Sequence, residues 1–322
     1  MTGPLPLRDT AEVEAKLAWM CEQHIWPNGL RYLWTDAFGV VLLVSLWTEL
    51  HDERLLREAE WVVAEVDRVL GRPRGIRIGE EPDRDGQYFH DLAMWIFALG
   101  RLGVIDPRYR EKAIALARDI HPAFVIPGTG VIWKMREDLS GPCPGSGLGA
   151  LDAFHGLVVY RLLDPIGLAT EIEQLRVLVE LSYPHLRITQ DLGLGMMLWL
   201  SHFFPEEPWA VVQRSRALRQ LEQMWIHPPG YFCREPWQRE MKFAFTNYGV
   251  SLGLQAVAAH RQRVRRLNAF FERYRSGDAY DSNAITHVMA CTSHFPGQFI
   301  RASWADDQRA PSVFLPRQQR ST

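Results

Sequence analysis

Hydrophobic positions recur at three- and four-residue steps along most of the chain, and the helices they predict are of two kinds. The first kind is amphipathic. In "DERLLREAEWVVAEVDRVL", Leu55, Ala59, Val62, Val66 and Val69 form one apolar stripe with glutamate and arginine between them. Ala11–Ile25, Pro107–Ile120, Leu168–Ser182, Glu206–Ile226 and His260–Ser276 read the same way. Such a helix covers a core with one face and meets water with the other. The second kind carries almost no charge for three or four turns. "DAFGVVLLVSLWTEL" has no charged side chain between Asp36 and Glu49, and "DLGLGMMLWLSHFF" has none after Asp191. "FAFTNYGVSLGLQAVAAH" and "NAITHVMACTSHFPGQFI" have none, and "HDLAMWIFALGRL" and "LGALDAFHGLVVYRLL" have few. A helix apolar all round is buried all round.

The two kinds alternate six times, without any fixed-period sequence identity between units. Runs of alternating β-branched residues between hairpin turns are lacking, so an all-α chain is expected. Six buried helices wrapped by six amphipathic ones make an (α/α)6 toroid of helical hairpins. One domain over residues 1–304 is expected, with the polar, proline-containing tail 305–322 draped on the surface or disordered. The links that enter the apolar helices are mostly long: Trp26–Thr35, Gly71–Arg84, His121–Gly147 and His227–Lys242. Those that leave them are short. The long loops therefore gather at one end, with the free N–H groups and positive dipole ends of the inner helices.

Composition narrows the partners. The 322 residues carry a net charge of −2, which argues against nucleic acid or an anionic membrane as a partner. The basic run "RQRVRRL" is at helical spacing and reads as a solvated outer face. No run of 18 uninterrupted apolar residues predicts a membrane span, and the N-terminus lacks a basic-then-apolar leader. Four scattered cysteines without a CxxC suit free thiols in a reducing cytoplasm. Nothing in the sequence asks for a cofactor or a metal, and nothing in it gives the oligomeric state.

The starts of the inner helices hold the candidate chemistry. They offer Trp34 and Asp36; Tyr88, His90 and Asp91; Asp152 and His155; Gln190 and Asp191; Asn247 and Tyr248; and His287. The loops add Trp133, Lys134 and Arg136 from "VIWKMRE", and Arg234 and Trp237 from "CREPWQRE". An aspartate at a helix start is ordinarily an N-cap, and a lone histidine on an apolar face is often a satisfied core residue. Capping predicts one such residue per helix, however, and not groups such as "YFHD" or "DAFH". If the second inner helix begins in "DGQYFHD", then Gln87, Tyr88 and Asp91 share its inward side, while His90 points toward a neighbouring inner helix. Aromatic faces beside carboxylates, amides, imidazoles and guanidinium groups suit a small saccharide. A pair of carboxyls then supplies acid and base.

At this point the chain resembles the six-hairpin glycosidase-like superfamily. "LWTDAFGVVLLVSLWTEL" is similar to the first inner helix of unsaturated glucuronyl and rhamnogalacturonyl hydrolases. That resemblance implies catalytic aspartates at the starts of the second and third inner helices. The residues in those places are Asp85 or Asp91, and Asp152. The N-acylglucosamine and cellobiose 2-epimerases share the toroid and imply histidine acid–base chemistry on later inner helices, where His287 stands. The chain departs from them in opening its fourth inner helix with Gln190 and Asp191, with His202 deep inside. Terpene cyclases are disfavoured by the lack of DxDD or DDxxD. Cys143, Cys233, Cys291 and His294 are reminiscent of the zinc set of lanthionine-cyclase-like toroids, but no adjacent Cys–His pair occurs.

The reading that follows is a cytoplasmic glycoside hydrolase acting on a short, possibly acidic, saccharide. Asp91 and Asp152 lead as acid and base, with Asp36 and Asp191 next. His90, His155, Asn247, Tyr248 and His287 would position hydroxyls, Trp34, Tyr88, Trp133 and Trp237 would meet the rings, and Arg136 and Arg234 would hold a uronate. The alternatives are a sugar 2-epimerase or isomerase using histidine, or an inactive carbohydrate-binding scaffold.

Overall fold

A computed structural model describes residues 6–79, 85–226 and 243–302. Helices follow one another in the order α1 (Thr10–Glu22), α2 (Leu33–Leu50), α3 (Glu53–Leu70), α4 (Phe89–Leu102), α5 (Pro107–Phe124) and α6 (Asp152–Leu163). The second half adds α7 (Ala169–Ser182), α8 (Asp191–Phe203), α9 (Pro208–Ile226), α10 (Ala244–Ala256), α11 (Arg261–Phe271) and α12 (Ala284–His294). Even-numbered helices form a closed inner ring: α2 packs on α4, α4 on α6, α6 on α8, α8 on α10, α10 on α12, and α12 back on α2. Odd-numbered helices form the outer layer, α3 on α2, α5 on α4, α7 on α6, α9 on α8, α11 on α10 and α1 on α12. This is the expected (α/α)6 toroid.

Burial follows the two sequence patterns. Every residue of α2 from Leu33 to Leu46 is buried. In α3 the buried side chains are Ala59, Val62, Val63, Val66 and Leu70, along the face against α2. By length and mean hydropathy α2 alone among the described helices matches a membrane span, yet it is enclosed by α3, α4 and α12. Glycines bring α8 and α10 into backbone contact. A Cβ on Gly253 would stand 2.1 Å from the carbonyl oxygen of Gly195, so no side chain fits there.

The two ends of the ring differ. At the end where the inner helices finish, residues 295–302 cross the opening. Phe299 is fully buried, with its ring 4.8 Å from Phe38 and 6.2 Å from Phe97. Trp199 Nε1 donates to the Phe299 carbonyl at 2.8 Å, and the Gln298 N–H donates to Ser45 Oγ at 2.8 Å. At the other end the loops are long and carry four two-residue strands. They are β1 (Gln87–Tyr88), β2 (Val125–Ile126), β3 (Gly130–Val131) and β4 (Lys134–Met135). β1 pairs antiparallel with β4, and β2 with β3. Strand β1 corrects one expectation: α4 begins at Phe89, so Gln87 and Tyr88 are extended backbone and do not share a helical face with Asp91.

Candidate active site

None of the six inner helices is capped by the side chain of its N-cap residue. The outer helices α3 and α5 are, by Asp52 and Asp106. Capping therefore does not explain the polar groups at the inner starts, and the chemistry gathers where α2, α4 and α6 meet. His90, in the first turn of α4, stands between two carboxylates. Its Nε2 is 3.3 Å from Asp91 Oδ1, and its Nδ1 is 3.4 Å from Oδ1 of Asp152 on α6. Tyr88 stacks on the imidazole at 5.3 Å and 20°, and Trp34 of α2 meets it edge-on at 6.0 Å. The ring is one-third exposed, whereas both carboxylates are buried.

Burial by itself would lower the basicity of His90. The hydrogen bond to Asp152 and the charges of Asp91 and Asp152 together outweigh it and raise the pKa to about 9. One turn along α6, His155 has the opposite fate. It is buried, and its pKa falls to about 4 through desolvation and the nearby charge of His90, against the pull of Asp152. Its Nδ1 lies 3.2 Å from the carbonyl oxygen of Leu151, which can only accept. Nδ1 therefore carries the proton and Nε2 is bare. Among the described residues Nε2 has no hydrogen-bond partner, and neither has the buried indole N–H of Trp34. A buried polar atom without a partner calls for an explanation, and beside an open mouth a ligand is one. Gly149 leaves the space for Asp152, since a Cβ there would lie 1.8 Å from Asp152 Oδ2.

The loops hold this arrangement in place. Pairing of β1 with β4 sets Tyr88 opposite Lys134, whose Nζ is 4.8 Å from the centre of the phenol ring and 3.4 Å from its hydroxyl. Trp133 lies 5.5 Å from Tyr88, and its carbonyl accepts the N–H of Phe89 at 3.1 Å. Gln87 is wholly buried. It accepts the N–H of Ile76 at 2.9 Å and donates to the carbonyls of Arg74 at 2.8 Å and Glu137 at 2.6 Å. Asp85 accepts from Arg77 and from the Gly79 N–H, each at 2.8 Å. In "DGQYFHD", then, Asp85 and Gln87 bind loops together, while Tyr88, His90 and Asp91 form the candidate site. The bracing role of Gln87 and the placement of Lys134 over Tyr88 depend on contacts tens of residues apart in sequence, and no local pattern signals them.

Other candidates lie elsewhere. Asp36 is fully buried beneath the loop before α2. It accepts from Trp26 Nε1 at 2.9 Å and pairs with Arg31 at 3.2 Å. Burial raises its pKa to about 6 against the opposing pull of Arg31 and Trp26. Its partners make it an anchor for that loop, which corrects its expected place as an acid in the mouth. Asp191 accepts from Thr246 at 2.8 Å and Asn247 at 3.3 Å, tying α8 to α10. Asn247 also donates to the Phe243 carbonyl at 2.9 Å. Tyr248 is buried edge-on against Phe271 of α11 at 6.2 Å. His287 is edge-on to Trp19 of α1 at 4.9 Å, its pKa lowered to about 4 by desolvation and by Lys16 and Arg275. The expectation that Tyr248 and His287 line the cavity is thus corrected: both turn toward the outer layer. Arg136 is exposed beyond β4. Arg234 and Trp237 lie outside the described residues, as do Cys233 and residues 303–322.

No cysteine-containing metal cluster occurs among the described residues. Burial pushes the Cys291 thiol up to about 12. His294 instead faces Glu272 at 2.6 Å, Asp9 at 3.4 Å and Glu12 at 3.8 Å.

No protein-family model and no curated protein matches the chain. Solved structures do. A D-mannose isomerase superposes with a TM-score of 0.63 at 11% identity, covering 92% of this chain and 100% of its own. An α-1,6-mannanase from Salegentibacter sp. HEL1_6 gives 0.61 at 11% identity, over 89% and 99%. The cellobiose 2-epimerase from Spirochaeta thermophila DSM 6192 gives 0.58 at 14% identity, over 92% and 99%. The chain has their (α/α)6 toroid fold. The resemblance read from "LWTDAFGVVLLVSLWTEL" and the alternation of helices therefore holds at the level of fold, for the hydrolase and epimerase branches alike.

Proposed function

We propose that this toroid is a carbohydrate-active enzyme that moves a proton on a small saccharide, as a sugar isomerase or epimerase does. One observation carries the reading. His90 stands between Asp91 and Asp152, which draw its pKa toward about 9, whereas the buried His155, hydrogen-bonded through Nδ1 to a carbonyl, is drawn toward about 4. Environments that push a pair of titratable groups apart mark an acid and a base. His90 is then the donor to a sugar oxygen through Nε2, with Asp152 hydrogen-bonded to Nδ1 and the charges of both carboxylates holding the ring protonated. The bare Nε2 of His155 is the acceptor. It is a weak base at rest partly because His90 is charged, so release of the His90 proton strengthens it. Trp34, Tyr88 and Trp133 supply faces for the sugar ring. The solved neighbours that share the fold include a D-mannose isomerase and a cellobiose 2-epimerase, which is consistent with this chemistry.

A second reading, glycoside hydrolysis, is favoured by the carboxylate pair. Asp91 lies 3.3 Å from Nε2 of His90 and Asp152 3.4 Å from its Nδ1, so two carboxyls flank one point of the mouth, as glycosidase carboxyls flank a scissile bond. Hydrolysis needs one carboxyl to hold a proton, and the shared imidazolium works against that. The neighbouring mannanase is recorded as inactive when two consecutive aspartates are replaced. No described inner helix here begins with such a pair, and the consecutive titratable residues are His90 and Asp91.

The test is incubation of the protein with aldoses, ketoses and short oligosaccharides in D2O, followed by mass spectrometry and proton NMR. Deuterium on carbon in an isomerised or epimerised product supports proton transfer. Two fragments whose masses sum to the substrate plus one water overturn it in favour of hydrolysis. No change on any sugar favours the binding scaffold.

A further inference from the structure

Two surface cavities away from the mouth treat their arginines differently. One, of about 520 Å³, lies between α6, α7 and α9. There Arg161 pairs with Glu207, and Arg176 with Glu173 and Glu180. The other, of about 400 Å³, lies between α9, the first turn of α8 and the loop joining α7 to α8. Among the described residues it is lined by Arg187, Arg216 and Arg219, with Thr189, Gln220 and Gln223, and by no carboxylate. None of these three arginines forms an ion pair among the described residues. Arg216 donates to the carbonyls of Tyr183 at 2.8 Å and Pro184 at 2.9 Å, closing the C-terminal end of α7. Among the described residues Arg187 donates only to the Leu186 carbonyl, at 3.1 Å, and Arg219 makes no hydrogen bond.

We propose that this second cavity is a binding site for a phosphomonoester, separate from the sugar site at the mouth. Three like charges in one concavity repel one another. Arg216 feels this directly: desolvation and the charges of Arg187 and Arg219 lower its pKa from the usual guanidinium value. The arginines of the first cavity are matched by acids, whereas those described in the second leave a counter-ion to be supplied from outside. A dianionic phosphoryl group answers three cations better than a carboxylate does, and planar guanidinium groups grip its oxygens two at a time. Thr189, Gln220 and Gln223 add neutral donors and acceptors suited to hydroxyls. The volume is that of an ordinary small-molecule site and exceeds what phosphate alone requires. This proposal does not rest on the sugar chemistry at the mouth.

Titration calorimetry of the intact chain with glucose 6-phosphate, inorganic phosphate and glucose tests it. Both phosphates should bind, with affinity falling as salt rises, and glucose should not bind in an arginine-dependent way. The double variant R187Q/R219Q should weaken phosphate binding at least tenfold. R176Q, in the charge-matched cavity, should leave it unchanged. Both changed residues are exposed, and Arg216 is left in place to hold α7. Tighter binding of glucose 6-phosphate than of phosphate assigns an organic ester, and equal binding assigns free phosphate. Failure of both phosphates to bind at millimolar concentration overturns the proposal, as does binding that survives R187Q/R219Q.

Discussion

The two halves of the mouth are built from the same kinds of residue and use them differently. On the side of α2, α4 and α6, Trp34, His90, Asp91 and Asp152 converge within hydrogen-bond and ring-contact range, and His155 feels the charges of His90 and Asp152. On the side of α8, α10 and α12, Asp191 clasps Thr246 and Asn247, and Tyr248 and His287 turn to the outer helices. A polar residue in the first turn of an inner helix is thus as often a brace as a member of the candidate site. What separates the two is whether its partners lie inside the ring or behind it.

The largest effect should come from breaking the reactive half. H90A and D152N should each lower turnover by about 10²–10⁴-fold on the substrate found by the sugar screen, with little change in Tm. Y248F and H287Q should stay within about twofold of the parent kcat. A loss in either of these as large as that of H90A would erase the contrast between the halves.

D36A probes bracing in its strongest form. It leaves Arg31 buried without its partner, and denaturant unfolding should show a loss of about 3–5 kcal/mol. The parent should also show the titration of Asp36. Its folded pKa is raised from 3.8 to about 6, so its contribution is fully present below pH ~4 and is lost as pH rises through ~6. D36N should lack that dependence.

T246V removes one hydrogen bond to Asp191 and should cost about 0.5–1.5 kcal/mol in the same measurement, with kcat retained. A large fall in kcat at unchanged stability would move Asp191 from brace to reagent.

The mildest probe is pH. His90 has a folded pKa near 9 against 6.5 when free, so its carboxylate partners stabilise the fold fully below pH ~6.5 and lose that effect as pH rises through ~9. The stability difference between the parent and H90Q should shrink over that window, and NMR titration of the ring should place its midpoint on the alkaline side of neutrality. A midpoint at or below 6.5 would mean that the two carboxylates do not hold the ring.

Much of the fold was legible before any coordinates. The stripe in "DERLLREAEWVVAEVDRVL" and the uncharged run in "DAFGVVLLVSLWTEL" each describe how a whole helix meets its surroundings. Twelve such descriptions in strict alternation leave few ways to bury the apolar ones. The region "YFHD…DAFH" stood out because it held more chemistry than capping requires. The sequence turned His90 toward a neighbouring inner helix but did not name Asp152 as its partner, because the two are 62 residues apart and meet only once α4 and α6 are neighbours. Nor was the strap of β4 on β1, whose two-residue strands are too short to leave a period.

What the sequence determined by itself is therefore the number, order and layering of the helices, and the end of the ring at which the loops gather. Those properties are averages over many residues, and averages survive small errors of register. The tertiary structure decided which side chains face the cavity. One residue on a helix is about 100° of rotation, so a slip of a single position turns a group from the mouth toward the outer layer. Packing against the neighbours sets that rotation, which is why Asp152 meets His90 while Tyr248 and His287, equally promising on paper, stand behind the wall.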